Sequence, residues 1–196
     1  MGAAQAPDRH TRQPAPDSGQ GRRPAGAGHR LSARLSQVPD VLWTPSVVAG
    51  VIVTIGLLAI LFNQPWLFAS LGPTAYLIAH SPNHPAAAFY NTVVGHLVAV
   101  ASGFLVVAVI GADDAPSLFV THHLVGIRVL ASAVALGLAI AGELLLRASH
   151  PPAAATVLLI TLGGFSVSFH SALMIMAGVL LLSLLGEPLR RLRARA

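Results

Sequence analysis

Cysteine and lysine are both missing from this chain of 196 residues. Without cysteine there is no disulfide framework and no thiolate metal site. Charge is scarce as well: Asp, Glu, Lys and Arg together make up 10% of the residues, where a soluble domain carries about 25%. The signatures of common enzymes are also lacking. No His-Glu-x-x-His, no nucleophile elbow and no pair of intramembrane carboxylates occurs, so nothing points to catalysis or to a cofactor. With 54% hydrophobic residues, the chain reads as an all-α membrane protein, and its length suits one compact bundle rather than two domains.

The twelve basic residues are all arginine, and they collect at the two ends. Residues 1–40 hold six Arg against three Asp, and residues 186–196 hold four Arg against one Glu. Basic ends flanking apolar spans follow the positive-inside pattern, which favours a bilayer over nucleic acid as the partner. Expected, then, is a multi-pass protein of the plasma or inner membrane with both termini cytoplasmic. Residues 1–40, rich in Pro, Gly, Ala and Arg, read as a disordered tail. Residues 41–188 read as the transmembrane domain, and 189–196 as a second basic tail. Arg22-Arg23 is not followed by the apolar stretch of a twin-arginine signal.

Between the tails the apolar segments come in the order long, short, long, long, short, long. The long ones cover residues 45–62, 90–111, 124–146 and 167–185, and the short ones 66–79 and 153–165. Each short segment follows a break: Ser70-Leu71-Gly72-Pro73 in the first half, Ser149-His150-Pro151-Pro152 in the second. Proline is well placed in a first helical turn and drives the residue before it out of the α region. A bundle of four long and two short (half-helix) segments in two internal repeats is therefore expected. Three crossings per half make the repeats inverted, and short segments that dip in and return make them parallel. The three-crossing version fits the basic-residue rule better, because it places Arg147 on the cytoplasmic side with the tails and leaves Asp113 and Asp114 outside.

The polar groups kept inside apolar segments are candidates for function. They are Asn91, His96, Arg128, Glu143, Arg147 and His150, with Thr74 and Thr156 beside the breaks. Arg128 lies near a span end, where snorkelling to the interface is the simple expectation. Glu143 and Arg147, four apart, are spaced for a supporting helical ion pair. Nine histidines invite a metal site, but Pro82 separates His80 from His84, and His122-His123 has no further ligands; no metal is expected.

Four stretches together resemble the HPP family of small integral membrane proteins over residues 67–164. They are Gly72-Pro73-Thr74-Ala75, Ser81-Pro82 with Pro85, Asn91-Thr92-Val93-Val94-Gly95-His96, and His150-Pro151-Pro152-Ala153-Ala154-Ala155-Thr156. The chain departs from the family at Ala154, where Gly is common, and at Tyr90, where a cation is common. Plastid and cyanobacterial members are linked to nitrite transport, so the resemblance implies a transporter or channel for a small anion. A non-transporting scaffold or sensor is the alternative. For transport, the helix starts near Pro73 and Pro151 would turn free backbone N–H groups towards a shared site, since helix N-termini attract anions. Ser70, Gly72, Ser149 and Pro152 line the breaks in this scheme. Asn91, His96, Thr74 and Thr156 would donate hydrogen bonds, with His96 and His150 donating while uncharged. A second copy is expected to help a bundle this small enclose a path.

Overall fold

The computed structural model describes residues 37–194, so most of the expected N-terminal tail lies outside the described residues. Among them are seven α-helices, one short 3-10 turn and no strand. Four helices are long and apolar enough to cross a membrane: α1 (Asp40–Leu61), α3 (Phe89–Ile110), α5 (Gly126–Leu145) and α7 (Phe169–Ala194). Two are half as long, α2 (Leu71–His80) and α6 (Ala153–Thr161). A single turn, α4 (Leu118–Thr121), interrupts the loop between α3 and α5, and the 3-10 turn spans Pro85–Ala87.

Two helix ends differ from expectation. α1 starts at Asp40 rather than near 45 and carries Pro45 inside. α7 does not stop at Gly186-Glu187-Pro188 but continues to Ala194 through Pro188. A proline removes one backbone donor, which neighbouring contacts can offset. Here Glu187 binds both Arg190 and Arg191, at 2.7 and 2.6 Å. Arg190 also donates to Pro82 O at 2.7 Å. Arg193 reaches Asp40 at 2.7 Å, donates to Val38 O, and lies over the Trp43 ring. The first turn of α1 and the last turns of α7 are thus tied at one end of the bundle, the tail side.

These ties fix the threading. α1 runs from the tail side to the opposite, loop side. The chain then turns back, and α2 ends near the tail side, where Trp43 Nε1 donates to Ala79 O. α3 returns to the loop side. α5 starts there, with Arg128 in its first turn donating to Thr161 O at the end of α6. α6 therefore runs towards the loop side, and α7 comes back to the tail side. Each extended stretch plus its half-helix makes one full pass. The first half traverses the bundle three times, the second half three times in the opposite sense, and the two half-helices point away from each other.

The same contacts recur in both halves. Asn63 and Arg147 follow the first long helix of each half with φ of 51° and 52°. In each case the next N–H closes a wide turn, Gln64 to Ala59 O and Ala148 to Glu143 O. This is the αL helix ending, here without glycine. Thr74 and Thr156 are each the fourth residue of a half-helix, and Ile78 and Ile160 each the eighth. Glycines eight apart then receive the partner half. A Cβ on Gly103 would lie 3.2 Å from the Ile160 side chain, and one on Gly186 3.1 Å from that of Ile78. Gly95 lies against the 148–150 stretch and Gly178 against Trp66 O. Small residues let helices approach closely where lipid offers no hydrophobic drive to pack them. Ala131, Ala135 and Ala139, one face of α5, are buried in the same core as α3 and α6.

Candidate functional site

The second break is built in three steps. After the wide turn at Arg147, the chain passes so close to α3 that a Cβ on Gly95 would lie 3.3 Å from Ala148 O and 2.7 Å from the His150 Cβ. The next buried residue, His150, donates its backbone N–H to the Glu143 carboxylate at 2.9 Å. Pro151 and Pro152 then open the turn into α6 without any N–H of their own. The first donors of the half-helix are already engaged: Ala153, Ala154 and Ala155 donate to the carbonyls of His150, Pro151 and Pro152. The free donors expected at the start of this second half-helix are therefore not available. A tight 3-10-like first turn consumes them.

The two half-helices meet at this break. Ser70 Oγ and Thr156 Oγ1 share a hydrogen bond of 2.7 Å. Thr74 Oγ1 lies 2.9 Å from Ser70 O and 3.2 Å from His150 Nε2. His96 completes the cluster from α3, its ring 4.9 Å from that of His150, centre to centre. Ser70, Thr74, His96, His150 and Thr156 are each 0% exposed, so the cluster is closed off in the interior.

Both imidazoles have a fixed hydrogen. His96 Nδ1 is 2.8 Å from Thr92 O and His150 Nδ1 is 2.8 Å from Ala86 O. A carbonyl oxygen only accepts, so each Nδ1 carries the hydrogen and each neutral ring presents a lone pair at Nε2. The expectation that uncharged histidines donate to an anion is thereby corrected. Each can do so from Nε2 only as imidazolium. His96 Nε2, buried, has no hydrogen-bond partner among the protein groups.

Clefts flank the break on two faces. One, of about 260 Å³, is lined by Glu143, Ser149, Pro151 and Ala154 with apolar residues of α5. The other, of about 420 Å³, runs past Pro73, Tyr76, His84, Ala86, Pro151 and Pro152. Neither is lined by His96 or His150.

Against this geometry stands one family match. The family described as "HPP, transmembrane region" matches residues 34–195, most of the chain. The chain belongs to the HPP family. No curated protein and no solved structure matches it. Of the residues singled out in the HPP sequence, Ser70, Thr74, His96, His150 and Thr156 come together in the buried cluster. Gly72 and Pro73 lie in the first turn of α2. Asn91 is at the margin, its Nδ2 donating to Ser149 O at 3.3 Å. Ser149 itself is exposed.

The Glu143–Arg147 pair is a correction. The helix ends between them, and the left-handed backbone at Arg147 leaves that side chain exposed while Glu143 turns inward to the His150 N–H. Arg128 is another. It does not snorkel: it is 4% exposed and donates to Ala115 O, Pro116 O and Thr161 O at 2.6, 2.8 and 2.9 Å. Its role is to hold the 115–116 loop against the end of α6, a contact with no signal in sequence spacing. Among the described residues of this HPP protein, no three His, Cys, Asp or Glu side chains are grouped to hold a metal ion.

Proposed function

We propose that this HPP protein carries a small polar solute across the membrane through the His96–His150 cluster, with nitrite the first candidate. The observation that carries this reading is a fully buried polar cluster at the meeting point of two half-helices, holding an imidazole nitrogen without a partner. Burying a polar atom unpaired is costly, and a purely structural core would replace it with an apolar one. Opposed half-helices around a central site also match a recurrent transporter plan in which one half rocks against the other. Because the cluster is closed to both sides, transport requires that motion, and a fixed open channel is not the favoured form.

The competing reading is a scaffold or sensor without transport. It draws on the same closure, since neither cleft is lined by His96 or His150. Nitrite uptake into liposomes holding only this protein separates the two. Nitrous acid crosses bilayers unaided, so protein-free liposomes are subtracted at every pH. Uptake above that background, abolished by His96→Gln and by His150→Gln in protein that still elutes as a folded species, supports transport. Background-level uptake by the parent protein removes it.

A further inference from the structure

The hydrogen count in the cluster points to what must travel with the anion. Thr74 has one hydroxyl hydrogen, and two acceptors stand around it, Ser70 O at 2.9 Å and His150 Nε2 at 3.2 Å. With both Nδ1 hydrogens held by backbone carbonyls, His150 and His96 bring two lone pairs to the site and no donor. The charged group bound to this stretch is Glu143 of α5, whose carboxylate accepts from the His150 backbone N–H. From α2 and α6 the nearest polar groups are Thr74 and Thr156, neither of them charged. Arg147 is exposed beyond the wide turn, and Arg128 is bound to carbonyls at the loop-side end of α6. An anion entering this site meets two imidazole lone pairs and the nearby carboxylate; the donors that offset them are neutral hydroxyls, of Thr92, whose Oγ1 has no partner, and of the Ser70–Thr156 pair. Without a cation the balance is unfavourable to it.

One added proton reverses the balance. On His150 Nε2 it donates to Thr74 Oγ1, leaving the Thr74 hydrogen to Ser70 O, so that every group in that chain is paired. On His96 Nε2 it creates a donor where no protein group competes for it. We propose that the site takes an anion only together with one proton, held on the His96–His150 pair. The complex is equivalent to binding the conjugate acid, such as nitrous acid, with its hydrogen delivered to an imidazole Nε2. The proton arrives with the anion and leaves with it, so the transport cycle moves no net charge for this pair. The inference rests on the transport reading above.

Nitrite titrated calorimetrically into the purified full chain, in two buffers of different ionisation enthalpy, tests it. The difference between buffers counts protons taken up on binding. The expected result is about one proton per nitrite, with affinity falling roughly tenfold for each unit of pH between 7 and 9. Binding with no proton uptake overturns the coupling while leaving transport standing. Absence of nitrite binding, together with background uptake in liposomes, removes the transport reading and the coupling with it. Binding of methylammonium in place of nitrite identifies the acceptors as a cation site and overturns the proposal. The Glu143→Gln variant adds a check that does not depend on either histidine. With the carboxylate neutral, nitrite should bind more tightly at pH 8, still with one proton; unchanged affinity would show that the carboxylate does not repel the anion and would overturn the proposal.

Discussion

Gly95 and His150 are packed so closely that a Cβ on the glycine would lie 2.7 Å from the Cβ of the histidine. α3 and the second break therefore share their contact plane, and nothing larger than hydrogen fits at that position. The corresponding contact in the first half is tighter, a Gly178 Cβ falling 2.4 Å from Trp66 O. Neither the His150 Cβ nor the Trp66 carbonyl can move aside as the end of a flexible side chain can, and the second approach is the shorter, so Gly178→Ala should cost more than Gly95→Ala. Both should cost on the order of 1–3 kcal/mol or above, the usual range for overpacking. Gly137→Ala, where nothing lies within 4 Å, should leave the melting temperature in detergent unchanged or slightly higher. Equal melting temperatures for all three variants would show that these close approaches do not constrain the bundle.

Arg128 supports a second prediction. A buried guanidinium serving three carbonyls cannot be replaced by an ammonium on a shorter, differently shaped stem. Arg128→Lys should lose about 1.5–3 kcal/mol for each charged hydrogen bond that is not re-formed. The loop holding Asp113 and Asp114 should then open, and an Asp-directed protease should cut it faster in Arg128→Lys than in the parent. A cutting rate equal to the parent's would mean that the loop is held by Ser117 and Leu118, through their bonds to Gly163 O and Leu162 O, and not by the arginine.

The absence of cysteine makes a third test simple, because any introduced thiol is unique. Asp114 and Asn83 are both exposed and lie at opposite ends of the bundle. If the arginine-rich tails face the cytoplasm, an impermeant maleimide should label Asp114→Cys in intact cells and Asn83→Cys only after lysis. The reverse pattern would invert the orientation, and labelling of both from one side would contradict the six-pass threading.

Nitrogen-15 spectra of the histidines provide a fourth. At neutral pH and without anion, His96 and His150 should both carry their hydrogen on Nδ1, with Nε2 bare. His96→Gln and His150→Gln assign the two signals among the nine histidines. A hydrogen on Nε2 of either ring in that state would undo the acceptor character of the site.

Much of this arrangement was legible in the residues. The two breaks, the six segments and the company of Thr74, His150 and Thr156 follow from proline, glycine and the lengths of the apolar runs. What stayed hidden was the partnering of hydrogen-bond groups, which depends on angles that no spacing records. The first turn of α6 shows this. Pro151 and Pro152 announce a helix start, but whether its next donors point outward or fold back onto the His150, Pro151 and Pro152 carbonyls is decided by a few tens of degrees of backbone. The Glu143–Arg147 spacing likewise assumed a helix through both residues, and the left-handed turn at Arg147 removed it. The burial of Arg128 left no trace in its neighbours, because its carbonyl partners sit 12 to 33 residues away. The glycine pairs 95/103 and 178/186 carried a usable signal: equal spacing in the second long helix of each half.

The tie between Arg193 and Asp40 has one more consequence. It brings the beginning and the end of the helical bundle within a single ion pair of each other, so the described helices nearly close a ring. Circular permutation should therefore be tolerated: the tail-side ends joined by a short linker, and the ring opened in the exposed loop around Asp114. The permuted protein would be made in the opposite order, second half first, with its new amino terminus on the loop side. If the tail side faces the cytoplasm, the arginine-rich junction, now an internal loop, should still hold it there.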